Sequence, residues 1–391
     1  MSYRIEDVLE SVAEGAPAPR TSTDDIIAGA HRIRVRRRWT AVAGAGGAAA
    51  VTVAVVVAVT GTAPHAARPQ PPAASAAVSP APVAARDFAQ PKGLELTVAE
   101  ARAGKWRIGP GGTATAGYQQ IPVYRDGMTM ETDGVAYPYP DGTLTFYKPG
   151  VYDIEAFGVT TWPKERYGPP RNVTVAGRPG IERQLTYVLP NVEDMRARLR
   201  ANPGMRPDDP SIRTETFTRT AFAWRFDGTA WATFVPSSSR EPLSRAESLA
   251  IVEAVRPRTA EPVRAPYTLG WLPPGWSVTL AEQGPTDMAS RVFLDREAPA
   301  GGELALPVDE YPARGRLTIW VGTPKSFNAP GKGETMKCVD VNGYCTLVVD
   351  GNHFAELQRV GKALSMDDVR RILRGLTFTA VADRSAWKPL P

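Results

Sequence analysis

Hydrophobic and polar positions divide this chain into stretches of very different character. Residues 40–60 form one uncharged run that is almost entirely Ala, Val and Gly. At about 1.5 Å per residue, a helix of that length reaches roughly 31 Å, close to the about 30 Å hydrocarbon core of a bilayer. The pattern predicts a transmembrane helix over 39–60. Ahead of it, Ile5, Val8, Leu9 and Val12 recur at helical spacing, and Ile26, Ile27, Ala30 and Ile33 do so again. The segment Gly15-Ala16-Pro17-Ala18-Pro19 breaks the two helices apart. Behind the run, residues 61–90 are mostly Ala and Pro with no periodicity, the composition of a semi-extended spacer.

Charge orients this arrangement. Arg32, Arg34, Arg36, Arg37 and Arg38 stand immediately before the uncharged run. By the positive-inside rule they stay cytoplasmic, where they also meet anionic lipid heads, and everything after residue 60 is translocated. A cleaved signal peptide is the competing reading, with Ala63-Pro64-His65-Ala66-Ala67 as a conceivable cleavage site. The long charged start and long apolar core argue against it. Gly44-Ala45-Gly46-Gly47 would permit close helix pairing in the membrane, or simply reflect an Ala-rich composition. The net charge of +5 is spread along the chain rather than concentrated on one segment, so direct nucleic-acid binding is not expected. The tail face of Ile5, Val8, Leu9 and Val12 reads either as a docking site for a cytoplasmic protein or as a solvated lead-in.

The translocated part carries an internal echo. Val173-Thr174-Val175-Ala176-Gly177 parallels Val339-Asp340-Val341-Asn342-Gly343. Phe226-Asp227-Gly228 with Trp231-Ala232 parallels Val349-Asp350-Gly351 with Phe354-Ala355. Leu243-Ser244 then matches Leu364-Ser365, each opening a helix: Ser244 with Glu247 fits a capping box, and Ser365 with Asp368 approximates one. The apolar faces are Ile251, Val252 and Val255 in one helix and Val369, Ile372, Leu373 and Leu376 in the other. The expected fold class is therefore α+β: one transmembrane helix, then two similar modules of antiparallel sheet plus helix. The expected divisions are a tail (1–38), the span (39–60), the linker (61–90), module 1 with an insertion (91–260), module 2 (261–380) and a final tail (381–391).

Module 2 opens with Tyr267-Thr268-Leu269-Gly270-Trp271-Leu272-Pro273-Pro274-Gly275-Trp276, a strand closed by a Pro-Pro-Gly turn. That opening, the Val-x-Val-Asn-Gly hairpin, the Asp-Gly turn before an aromatic strand and the Ser-capped last helix together resemble a bacterial extracytoplasmic domain. It occurs in anti-sigma-like and sporulation-linked proteins. The tail, arginine cluster, single span and Ala/Pro linker also resemble actinobacterial membrane proteins that are candidate partners of extracytoplasmic-function sigma factors. The resemblance implies a regulatory role with a sigma factor as cytoplasmic partner. It brings no catalytic residues, and the tail lacks the zinc ligands of some anti-sigma domains.

Catalytic and metal signatures are missing. There is no phosphate loop, nucleophile elbow or His-Glu-x-x-His. Ser385-Ala386-Trp387-Lys388 and Ser326-Phe327-Asn328 match penicillin-binding motifs only in reversed order. With three His and two Cys scattered along the chain, no cofactor or metal is expected, and no enzymatic activity. Trp224, Trp231, Trp271, Trp276 and Trp320 read first as sheet core; the alternative is a cleft for a cell-wall glycan or lipid, which would make this an envelope ligand-binding or structural protein with a passive anchor. Cys338 and Cys345 are expected to pair in an oxidising compartment. A two-residue Asn342-Gly343 loop would set Cys345 opposite Asp340, whereas a four-residue loop over 340–343 sets it opposite Cys338, with Gly343 in the left-handed position. The wider loop is the expectation.

Overall fold

The computed structural model describes residues 94–391 apart from 133–134, 160–164, 203–208, 210, 229, 238–242, 285–287, 307–316, 324–329, 332 and 362–363. The expected tail, span and linker, with Arg32, Arg34, Arg36, Arg37 and Arg38 and the face of Ile5, Val8, Leu9 and Val12, lie outside the described residues. Among the described residues no helix is long and apolar enough to cross a membrane. All of them belong to one compact unit, 44–391.

The chain enters through β1 (Glu95–Ala99) and the short hairpin β2 (Ala101–Ala103) and β3 (Trp106–Ile108). A meander follows in β4 (Gly112–Thr115), β5 (Tyr118–Thr132) and β6 (Val135–Tyr147). Then come β7 (Glu165–Tyr167), β8 (Arg171–Val175), β9 (Arg178–Pro190), helix α1 (Val192–Ala201), β10 (Thr214–Asp227), β11 (Ala230–Pro236) and helix α2 (Arg245–Ala254). An extended connector carries β12 (Arg256–Pro262), β13 (Arg264–Ala265) and β14 (Tyr267–Leu269). The second half repeats the meander as β15 (Ser277–Gln283), β16 (Met288–Asp295) and β17 (Leu317–Gly322). It ends in β18 (Met336–Val339), β19 (Tyr344–Val348), β20 (Phe354–Arg359), helix α3 (Met366–Arg374), β21 (Leu376–Phe378) and β22 (Lys388–Pro389).

The architecture is antiparallel sheet with few helices. Sixteen of the described strands form one sheet, whose main path runs β18-β19-β20-β17-β16-β15-β4-β5-β6-β11-β10-β9-β7. The two halves join edge to edge where β4 pairs β15, with Ala281 opposite Ala114. One face of this sheet carries the main core, which includes Leu144, Phe146, Phe222, Phe234, Val292, Ile319 and Leu357. Helices α2 and α3 cover that face, burying Ile251 and Val252 from α2 and Val369, Ile372 and Leu373 from α3. Both begin with a complete capping box, Ser244 with Glu247 and Ser365 with Asp368, so local sequence fixes where each helix starts.

The internal echo is partial in three dimensions. In the first half α2 packs on β10 and β11, and in the second α3 packs on β19 and β20, each strand pair being joined across an Asp-Gly segment. The two Val-rich hairpins do not correspond in the same way. Ala176-Gly177 lies between β8 and β9, two strands before Asp227-Gly228; residues 340–343 lie between β18 and β19, one strand before Asp350-Gly351. Adjacent strands run antiparallel, so the two turns share an end of the sheet in the first half and occupy opposite ends in the second. The segment with α1 connects β9 to β10. Asn191 caps that helix by accepting from the Asp194 N–H at 2.8 Å.

Residues 381–391 do not form a loose tail. Val381 and Trp387 are buried, the Trp387 indole N–H donates to the Val381 carbonyl at 3.1 Å, and β22 pairs β13. The Pro-Pro-Gly segment closes as expected: the Trp276 N–H donates to the Pro273 carbonyl at 3.1 Å, and Gly275 takes φ +81°.

Candidate functional site

Successive strand residues point to opposite faces, so the register that places Ile319, Val292 and Ala281 in the core places their neighbours on the second face. Thr346, Glu356, Trp320, Arg291 and Glu282 are cross-strand partners in that order. The row continues through the β15–β4 seam to Thr113, Gln120, Thr145 and Thr233. It therefore spans both halves of the sheet. Most of its polar members are buried, with Thr346, Glu356, Arg291, Gln120, Thr145 and Thr233 all below 9% exposure, while Glu282 is half-buried. An antiparallel sheet with a solvated second face would leave such residues wet. Burying them requires hydrogen-bond partners.

Those partners define the row's chemistry. Arg291 Nε donates to Glu282 Oε2 at 2.5 Å, and its guanidinium lies 5.1 Å from the Trp320 ring centroid and 5.2 Å from that of Phe293. This cation is held by one carboxylate and two aromatic rings. Gln120 Nε2 donates to Thr145 Oγ1 at 3.3 Å, and Thr346 Oγ1 donates to Glu356 Oε2 at 3.5 Å. Beside the row lies an aromatic patch of Tyr118, Tyr147, Leu280 and Phe293, with Tyr152 stacked on Tyr147 at 4.1 Å between centroids. The Tyr118 hydroxyl donates to the Leu306 carbonyl at 2.9 Å. Burial pushes the Tyr147, Tyr152 and Tyr167 hydroxyls up from their ordinary value.

A second buried polar cluster is structural. Asp141 is fully buried, and its carboxylate accepts from Arg125 at 2.5 Å and from Arg219 at 3.4 Å. The Ser237 hydroxyl lies 3.4 Å from the same carboxylate, and Arg125 stacks on Trp106 at 4.5 Å. This carboxylate ties β5 and β10 together at the point where the β5–β6 register shifts.

The two cysteines are joined. Cys338 and Cys345 face each other directly, with Cα atoms 4.0 Å apart. The loop between β18 and β19 is the four-residue one, and Gly343 takes φ +68°. Arg370 on α3 holds the turn through Asp340 at 2.6 Å.

The tryptophans divide between two environments. Trp106, Trp224 and Trp387 are buried in the core, whereas Trp231, Trp271, Trp276 and Trp320 are half-buried. Arg371 covers Trp271 at 4.0 Å and Arg225 covers Trp231 at 4.6 Å. The five tryptophans named from sequence do not line one cleft. The row itself was missed in sequence, because only strand register across the seam brings Thr113, Gln120 and Thr145 into line with Arg291. Among the described residues no group of His, Cys, Asp and Glu could hold a metal ion.

No family model matches the chain, and no curated protein matches it. Among solved structures, a chain from the crystal structure of MucB in complex with MucA(peri) is aligned over 69% of this chain and 91% of its own length, at 10% identity and a TM-score of 0.18. A chain from the Pseudomonas aeruginosa MucA/MucB complex is aligned over 69% and 92%, at 11% identity and a TM-score of 0.18. A TM-score at that level carries no argument about this chain's fold or role.

Proposed function

We propose that this chain is a membrane-anchored extracytoplasmic regulatory protein whose outer sheet recognises an envelope component and whose tail engages a cytoplasmic regulator such as a sigma factor. The observation that carries the reading is the polar row. It runs in register across the seam, is mostly buried but half-exposed at Glu282 and Trp320, and offers hydroxyls, an amide and one ring-flanked ion pair rather than a nucleophile with a base. That chemistry suits recognition. The Cys338–Cys345 bond supports the compartment, since such bonds persist outside the reducing cytosol. The arginines before the uncharged run support the orientation.

The test uses the full-length chain in its native membrane. A photo-crosslinker at Leu9 should capture a cytoplasmic protein, and changing Val8 and Leu9 to Asp should abolish capture without affecting membrane insertion. Failure to capture any cytoplasmic protein would sink the regulatory reading. The reading of an envelope ligand-binding protein with a passive anchor would then stand, and the aromatic patch of Tyr118, Tyr147 and Tyr152 beside the row favours it for a glycan or lipid.

A further inference from the structure

The connector between the two halves makes three pairings in succession: β12 with β1, β13 with β22, and β14 with β21. Val263 sits between the first two and is buried. Its N–H donates to the Leu94 carbonyl at 2.8 Å, and its own carbonyl accepts from the Leu390 N–H at 3.0 Å. Strands from opposite ends of the described fold thus meet on one residue. The φ and ψ of Val263 aim both groups at once, so a rotation that follows one strand misaims the bond to the other. β22 pairs only through Pro389 and Lys388, and the β1–β12 register is interrupted between Leu96 and Val98, while β1 is tied to β5 where the Thr97 N–H donates to Gln119 Oε1 at 2.8 Å.

Side chains brace the same point. Arg264 donates from its guanidinium to the Trp387 carbonyl at 3.1 Å, and the Gln283 amide donates to the Arg264 carbonyl at 2.9 Å. Gln283 is the last residue of β15, opposite Gly112 at the seam, and follows Glu282 of the polar row. The junction therefore connects the entry strand, the closing strand and the seam within a few residues.

We propose that Val263 is a two-sided clasp that makes β1 and β22 open as one unit, so that displacing β22 loosens the first strand of the described fold. The five residues of β1, once released, span on the order of 16 Å when extended. The device holds whether or not residues 39–60 cross a membrane, so its test is separate from that of the proposed function.

Native-state hydrogen exchange on the full chain tests it. In the unaltered protein the amides of Val263, Leu390 and β1 should share one opening free energy and one denaturant dependence, below that of Val292 and Ile319 in the sheet. Leu390→Pro deletes the donor to Val263, with Leu390→Ala as the control for the side chain. Relative to Leu390→Ala, Leu390→Pro should speed exchange of Val263 and the β1 amides by about tenfold, the effect of losing one buried hydrogen bond. Val292 and Ile319 should stay unchanged. Separate opening behaviour for β1 and β22 in the unaltered chain would overturn the proposal, as would a Leu390→Pro effect confined to β22.

Discussion

Asp141→Ala is the sharpest test of how the first half of the sheet is held. The carboxylate is fully buried, 2.5 Å from Arg125 and 3.4 Å from Arg219, and both guanidiniums are themselves buried. Removing it leaves two cations in a site from which water is excluded. Breaking a buried ion pair by deleting one partner costs about 3–5 kcal/mol, far more than the net worth of the intact pair, because the remaining charge stays desolvated. Both arginines keep other contacts, Arg125 with the Trp106 ring among them, which places the expected loss toward the lower end, about 3 kcal/mol. For a unit of about 300 residues that is a fall in Tm on the order of 5 °C. Asp141→Asn should lose less, because it retains an acceptor while losing the charge. The control is Asp367→Ala, whose side chain is 92% exposed and pairs with Arg370 at 2.9 Å. An exposed pair of that kind is worth at most about 1 kcal/mol. Thermal unfolding and denaturant titration of the three variants decide the matter. A Tm for Asp141→Ala within a degree or two of the control's would refute the claim that this carboxylate neutralises the buried arginines.

Three further outcomes follow from named groups. Glu247 sits at the start of α2, where burial raises its carboxyl but the Lys105 ammonium and the Ser244 N–H and hydroxyl outweigh that, holding it at about 2 against an ordinary 4.5. A lowered folded value stabilises the protein above the unfolded value, so this contribution should be complete above about pH 4.5 and lost as pH falls towards 2; Glu247→Gln should flatten stability across that window. Replacing Cys338 and Cys345 together with Ser should lower stability by about 2.5 kcal/mol in non-reducing urea titrations, from the loop-closure entropy of a bridge spanning seven positions. Arg291→Met keeps apolar contact with Trp320 and Phe293 but strands Glu282; a loss of about 2 kcal/mol is expected, softened because the Glu282 side chain is 24% exposed, and tryptophan fluorescence should shift with it.

Local chemistry was legible in the sequence, and long-range register was not. Ser244 with Glu247 and Ser365 with Asp368 marked the starts of α2 and α3, because a capping box is built from residues three apart. The loop over 340–343 followed from requiring two cysteines to face each other across a hairpin. The β4–β15 seam could not be read, since nothing local to Ala114 names Ala281 as its partner. The polar row stayed hidden for that reason. β12 was obscured by Pro257 and Pro262, which argue against a central strand; it survives by pairing with β1 alone. Residues 381–391 read as a tail because Asp383, Arg384, Ser385 and Lys388 break up the apolar positions and leave no period to follow. Trp387 reverses that, since one buried indole anchors the segment in the core.

Topology is the claim on which the regulatory account rests. A reporter active only in the cytoplasm should work when fused ahead of Met1 and fail when fused after Pro391. Neutral replacements at Arg32, Arg34, Arg36, Arg37 and Arg38 should weaken or scramble that asymmetry. Cytoplasmic activity from the fusion after Pro391, with silence from the fusion at Met1, would contradict the account.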